Sequence, residues 1–374
     1  MSRFYDLMTG SVRALTGDAH DVPTPASPDG PATKIKLDAN ESPYGPSPRA
    51  LAAIRTAVGS SHKYPDDRAA NLTRRLAEKH GVDEDQILVC PGSTGLLSVI
   101  ARTMLEPGLK AVTSERSFIV YRYATRAAGA ELVEVPMRYD TVDPQAILNA
   151  IDERTRVVFL ANPNNPTGTF LDAGYIDELV AQIPTHVVVV LDEAYYDYAQ
   201  FFANARNVQH PDSLRYVHEA RNVVVLRTFS KAHGLAALRI GYGIGPAELI
   251  SYFANMQDAY AVSAVAQAAA TAALDDEGHI YNALQQNATQ AELLETELSN
   301  LGFHVLPTWA NFLYCDLGED CEAIARRLNE EGISIRPLAA WGALTAARIT
   351  IGTAEQNRAL IASLRRGMSQ SAGR

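Results

Sequence analysis

Apolar and polar positions along the 374-residue chain fall into three textures. Residues 1 to about 33 show no sustained period, and Asp, Pro, Ser, Gly and Thr dominate 18–33, which predicts an arm rather than a domain core. From about residue 60, short apolar runs alternate with helical patterns. Residues 68–80 predict a helix ended by Gly81, 86–90 a short strand and 93–104 a second helix. Strand-like runs follow at 109–113, 131–135 and 157–161. The stretches 186–191 (HVVVVL) and 222–226 (NVVVL) are continuous and β-branched, as strands buried on both faces are. The Ala-rich stretch 261–274, broken by Ser263, Gln267 and Thr271, predicts a buried helix and is too short to span a bilayer. Beyond about 275 the texture changes again. A long polar helix over 280–300 precedes short strands at 303–306, 312–315, 334–337 and 348–351, with helices between them.

Strands spaced by helices predict an α/β architecture, a mostly parallel (mixed) sheet between helices, followed by a smaller α+β domain. The domain limits this suggests are an arm over 1–33, a large domain over 60–262, and a small domain formed by 34–59 with 263–374. No internal repeat is visible.

Composition narrows the class. The chain is 47% apolar and 20% charged, enough for a sizeable core and unlike a disordered or fibrous chain. A net charge of −10 argues against nucleic-acid or membrane-surface partners. Cys90, Cys315 and Cys321 make no disulfide framework and lack metal-ligand spacing, so a reduced, cytoplasmic setting and no metal are expected. The first residues have no apolar h-region and carry Asp6, unlike a signal peptide. Lysine is scarce: after Lys110 there is only Lys231. A general preference for arginine accounts for most of this. Chemistry needing an amine in the last 264 residues still has one candidate.

Ligands of open α/β sheets bind beyond the carboxyl ends of the strands. Four loops in such positions are rich in polar and turn residues: 91–95 (PGSTG), 162–168 (NPNNPTG), 192–195 (DEAY) and 228–231 (TFSK), the last running on to Arg239. The first puts small residues where a helix begins, which suits a phosphate or serves as an ordinary N-cap. The second is a tight Asn/Pro turn or a binding loop. Asp192 directly follows five apolar residues and there needs a partner, unless it caps a helix. Lys231 is either a surface lysine at a strand end or, in a dry crevice, an amine nucleophile with a lowered pKa. A phosphate cradle, an acid, a nucleophilic amine and an arginine are together what pyridoxal phosphate requires of a protein.

The motifs LDANESPYGPSP (37–48), HKYPD (62–66), NPNNPTG (162–168), VVVLDEAYYDY (188–198), RTFSKAHGLAALRIGY (227–242), ISIRPL (333–338) and ARITIGT (347–353) occur in order and at family spacing. On these the chain resembles the fold-type-I pyridoxal-phosphate aminotransferases, and within them the histidinol-phosphate aminotransferase family, from Leu37 to about Leu364. The resemblance implies that Lys231 forms the Schiff base to pyridoxal 5'-phosphate and moves protons. It places Asp192 on the pyridine nitrogen and Asn165 and Tyr195 on the ring hydroxyl oxygen. Phe118 is the expected ring-stacking aromatic, or plain core. Ser93, Thr94, Thr228, Ser230 and Arg239 are expected around the phosphate, with Tyr64 reaching it from the second subunit of a homodimer. Arg348, aided by Asn40, is expected to hold the substrate carboxylate. Tyr260 and Arg336 lie where the family meets the substrate side chain, although Arg336 also suits a surface salt bridge.

Three positions depart from the family pattern: Gly92-Ser93-Thr94-Gly95 lacks an acidic residue, Ser42 replaces a usual asparagine, and His233 replaces an aromatic or small residue. They leave the cofactor motifs intact and loosen the substrate assignment. The implied activity is amino transfer between L-histidinol phosphate and 2-oxoglutarate by a ping-pong route, within amino-acid biosynthesis. Aromatic or other α-amino acids, or decarboxylation on the same fold, are the alternatives. A non-catalytic, cofactor-binding regulator is disfavoured, because the matched region leaves only about 35 preceding residues without a recognition-helix pattern.

Overall fold

The computed structural model describes residues 7–15 and 35–371, so most of the arm expected over 1–33 lies outside the described residues. Its strands, in chain order, are β1 (Ile35–Lys36), β2 (Ile87–Cys90), β3 (Lys110–Ser114), β4 (Glu131–Val135), β5 (Thr155–Ala161), β6 (Val188–Asp192), β7 (Val223–Thr228), β8 (Gly241–Ile244), β9 (His304–Val305), β10 (Phe312–Asp316), β11 (Ile333–Ser334), β12 (Arg336–Leu338) and β13 (Ala343–Thr350).

The large sheet has the order β2-β8-β7-β6-β5-β3-β4. Neighbours from β7 to β4 are parallel, and β8 runs antiparallel to both β7 and β2. The expected mixed, mostly parallel sheet therefore contains one reversed strand. Alternate residues serve opposite faces. Val158, Leu160, Val189, Leu191, Val223 and Val225 pack into one apolar cluster. Val157, Phe159, Val188, Val190, Val224 and Leu226 pack into another. Helix Gly92–Met104 covers the second face with helix Ala247–Met256. Helices Ala70–His80 and Ala173–Gln182 cover the first. Burial on both faces is why β6 and β7 read as unbroken apolar runs.

The Ala-rich stretch forms helix Ala264–Leu274, capped by Ser263, whose Oγ accepts from Ala266 N at 3.2 Å. Small side chains let it lie close to helix Pro48–Val58, and Ala50, Ala266 and Ala269 join the first large-sheet cluster. Of the residues grouped by chain order with the smaller domain, these two helices thus share the core of the large sheet. The smaller sheet, β12-β13-β10-β9, is antiparallel. The single strand expected over 334–337 is split: β11 pairs with β1, while β12 pairs with β13. The chain changes partner at Ile335, and the β12–β13 register then shifts between Pro337 and Leu338.

Strand β8 was not anticipated. Its sequence, Gly-Tyr-Gly-Ile, has poor strand propensity. Its glycines answer to close approach instead: a Cβ on Gly243 would lie 2.3 Å from Leu96 Cδ2. Gly234, three residues past Lys231, is closed in by backbone rather than by a side chain. Its φ is +68°, and a Cβ there would lie 2.4 Å from the Gly45 carbonyl oxygen. Gly81, the C-cap of helix Ala70–His80, has φ +66° but nothing within 4 Å. Gly81→Ala should therefore cost ~1–2 kcal/mol, the left-handed penalty alone. Gly234→Ala should cost at least ~3 kcal/mol, because backbone must also move. Urea melts of the two variants check the ranking, and equal costs would refute the steric account.

Candidate active site

Because β2, β5, β6 and β7 run parallel, their carboxyl ends emerge on one edge, and all four polar loops meet there. The register also brings Gly241, the first residue of reversed β8, between Cys90 of β2 and Thr228 of β7. A cavity of about 380 Å³ opens at this edge. Its walls include Asn40, Ser93, Thr94, Phe118, Asn165, Asp192, Tyr195, Thr228, Ser230, Lys231, Arg239 and Arg348. Twelve residues singled out in the sequence thus share one space.

One end of the cavity is built for an anion. The N-terminus of helix Gly92–Met104 faces it, with unpaired backbone N–H groups and the positive end of the helix dipole. Thr228 Oγ1 donates to Ser230 Oγ at 2.9 Å and accepts from Ser230 N at 3.1 Å. Arg239 Nη1 donates to Ser230 Oγ at 3.4 Å. The backbone is drawn in tightly. A Cβ on Gly92 would lie 2.8 Å from Arg239 Nη2, and one on Gly241 would lie 2.8 Å from Ser93 N. Only glycine leaves the guanidinium and the N–H groups converged on one point.

Asp192 ends β6 with 3% exposure. Burial pushes its carboxyl up to about 6, opposed by Tyr121 Oη, which donates to Oδ2 at 2.9 Å, and by Ala194 N, which donates to Oδ1 at 3.2 Å. Tyr121 was missed in the sequence. It sits three residues after Phe118, at the start of helix Val120–Ala127, and stacks on Phe159 at 4.9 Å. Nothing in its local pattern separates it from core.

Lys231 is buried. Desolvation, then Arg348, draws its pKa down to about 7, with Glu41 opposing. Its Nζ donates to Asn40 O at 3.1 Å and Ala39 O at 3.4 Å. Arg348 on β13 donates from Nη1 to Asn165 Oδ1 at 2.7 Å and from Nη2 to Asp38 O at 2.8 Å. Its Nε is buried and has no partner. Desolvation brings its pKa down to about 10, so it remains a cation at neutral pH.

Three expected residues lie outside this cavity. Arg336 stands beside Arg348 in the β12–β13 register and reaches Asp38, its Nε donating to the backbone oxygen at 3.5 Å. Tyr64 and Tyr260 stack on each other at 4.5 Å, and Tyr64 is 81% exposed. His233 is buried against Phe229 and does not line the cavity.

These residues fit pyridoxal phosphate. The glycine-floored cradle suits its phosphate, the buried carboxylate a protonated ring nitrogen, and the base-form amine its aldehyde. The fold and site define a fold-type-I pyridoxal-phosphate enzyme. The chain belongs to the aminotransferase class I and II family, whose model matches residues 32–364. It is 41% identical to histidinol-phosphate aminotransferase 2 of Pseudomonas fluorescens, over 91% of this chain and 90% of that one. It is 39% identical to an aromatic amino acid aminotransferase of Thermobifida fusca, over 89% and 90%. Among solved structures, the histidinol-phosphate aminotransferase of Sinorhizobium meliloti in complex with pyridoxal-5'-phosphate superimposes with a TM-score of 0.84 at 30% identity, covering 97% of each chain. The protein is thus a pyridoxal-phosphate-dependent transaminase similar to the histidinol-phosphate aminotransferases.

Two outcomes are expected. Gly92→Ala should displace the Arg239 guanidinium and raise the cofactor Kd at least ~10-fold, the loss of about one charge-assisted hydrogen bond; fluorescence titration of apoprotein measures it. In wild-type apoprotein, competitive acetylation of the Lys231 peptide should show a midpoint near pH 7, with ammonium below and reactive amine above. Arg348→Leu removes a neighbouring cation and should raise that midpoint; an unchanged midpoint would contradict the coupling.

Proposed function

We propose that the enzyme moves an amino group between L-histidinol phosphate and 2-oxoglutarate in two alternating half-reactions, as a cytoplasmic homodimer. The observation that carries this reading is the arginine pair. Arg348 is a buried cation that lines the cavity with Lys231 and has an unpartnered Nε, and Arg336, outside the lining, is its register neighbour. Two adjacent guanidinium groups suit a phosphate dianion better than a single carboxylate. Relatives bearing the name histidinol-phosphate aminotransferase support the same substrate.

In this reading Lys231 holds the cofactor covalently, Asp192 faces its ring nitrogen, and Asn165 and Tyr195 hold its ring oxygen. Ser93, Thr94, Thr228, Ser230 and Arg239 hold its phosphate, and Phe118 walls one side. The bound cofactor supplies an electron sink that acidifies the carbon bearing the amino group. Lys231 Nζ, released when the substrate's amine takes its place on the cofactor, would take the proton from that carbon and return it one position away. Asp192 stays ionised because a cationic partner offsets its desolvation. Arg348 orients the anionic substrate, and its enclosure keeps water from competing. The exposed Tyr64–Tyr260 stack supports a role in the second subunit's site, since paired rings left in solvent mark a surface that another chain covers.

An amino-donor panel tests the assignment, with histidinol phosphate, phenylalanine, tyrosine, tryptophan and glutamate read by loss of the visible band of bound cofactor. Histidinol phosphate should react with the highest kcat/KM. Preference for the aromatic donors would move the assignment to an aromatic aminotransferase, and release of CO₂ would move it to a decarboxylase. Arg336→Ala should raise the KM for histidinol phosphate ~10-fold or more and that for phenylalanine less than ~3-fold. Equal effects would remove Arg336 from the phosphate site.

A further inference from the structure

The segment 37–41 continues from β1, with Leu37 N donating to Ser334 O and Leu37 O accepting from Thr350 N, both at 2.8 Å, and Asn40 is where its far end is pinned. Asn40 is 1% exposed and has φ 55°, a conformation that asparagine tolerates and most residues do not. Its backbone N–H donates to Thr350 Oγ1 at 2.9 Å. Thr350 Oγ1 in turn donates to Asn40 Oδ1 at 3.2 Å. The oxygen faces Thr350, and Nδ2 faces Tyr195, donating to the phenol oxygen at 2.8 Å. The Asn40 carbonyl accepts from Asn311 Nδ2 at 3.1 Å and from Lys231 Nζ at 3.1 Å. Thr350 and Asn311 are both buried and both come from the smaller domain's strand region, on or beside β13 and β10.

We propose that Asn40 is a positioning residue for the reaction: its amide, locked by Thr350, sets the direction in which the Tyr195 hydroxyl donates. A phenol has one hydrogen. An amide NH₂ can only donate, so the phenol oxygen accepts at Asn40 and its O–H points elsewhere, into the cavity that Tyr195 lines. Accepting one hydrogen bond also polarises the hydroxyl and makes it a stronger donor. Asp192, Arg348 and Lys231 are the charged groups facing this phenol. The amide is thereby engaged between Tyr195 and Thr350 rather than presented to substrate, which separates this role from the substrate-carboxylate role that the family resemblance implies for Asn40.

The inference rests on the reading that Tyr195 donates to the cofactor's ring oxygen. Donation to an anionic oxygen lowers the proton affinity of the nitrogen it is conjugated with, so weaker donation must raise it. The test is a pH titration of the visible band of bound cofactor in Tyr195→Phe, Asn40→Gly and Thr350→Val holoenzymes, with kcat and KM for the amino donor. Glycine keeps the left-handed backbone of residue 40, and valine keeps the shape of Thr350. The expected result is a raised midpoint in all three, largest in Tyr195→Phe and ~0.3–1 unit in the other two, with kcat lowered ~5–20-fold and KM within ~2-fold, the size of losing one hydrogen bond. A raised KM with unmoved midpoint in both Asn40→Gly and Thr350→Val, beside a shifted Tyr195→Phe, overturns the inference and returns Asn40 to substrate binding. An unmoved midpoint in Tyr195→Phe itself overturns the reading of Tyr195 beneath it. Should Asn40→Gly fail to fold, Thr350→Val decides alone.

Discussion

Three cations, Lys231, Arg239 and Arg348, line one half-open cavity, and among the described residues lining it the only carboxylates are Asp192 and Glu41. Desolvation, with Arg348 and Arg239 nearby, brings Lys231 down to about 7, and desolvation, with Arg336 nearby, brings Arg348 down to about 10. Such an arrangement opposes folding and persists only when the surrounding structure holds it in place. Anions bound in the cavity would relieve it. The same tension brings the lysine's titration down to neutral pH. Affinity for ligand and reactivity of the amine have one electrostatic cause.

The large sheet supplies the rigidity this needs. Parallel strands buried on both faces cannot slip by one residue without turning apolar side chains to the wrong layer. Asp192 therefore stays level with Ala161 on one side and Leu226 on the other. Reversed β8 adds a second constraint. By lying between β2 and β7 it presses Gly241 onto the backbone of residues 92–93 and carries Arg239 to the helix N-terminus. The phosphate cradle is thus a product of backbone proximity, with side chains added to it.

The part contributed by residues 37–41 has a different character. Backbone bonds of Leu37 to β11 and β13 bring it in. A buried polar knot fixes its far end, in which Asn40 joins Tyr195 of the large layer to Thr350 and Asn311 of the smaller one. Apolar packing supports the same junction, since Leu37, Tyr195, Phe202 and Ala232 share the cluster of the smaller sheet. Satisfied buried networks are directional where apolar contacts are not, so this junction can fix the direction of a single hydroxyl.

Much of this was legible in the sequence, for physical reasons that differ by element. Strands β6 and β7 were readable because burial on both faces demands unbroken β-branched runs, and the helix ending at Gly81 because its C-cap needs a left-handed residue. Lys231, Asp192 and the Asn/Pro loop stood out because polar groups directly after buried strands need a reason to be there. Strand β8 was not legible: its glycines lower strand propensity and make sense only against Leu96 and the backbone of residue 93. Tyr121 looked like any core aromatic, because its hydroxyl meets Asp192 only after the sheet has formed. The direction of the Asn40 amide depends on Thr350, 310 residues away. Local chemistry determined which groups are present, since propensity, capping and charge act over a few residues. Tertiary structure decided which of them meet and in what protonation state, because burial and hydrogen-bond direction depend on partners that the chain brings together only when folded.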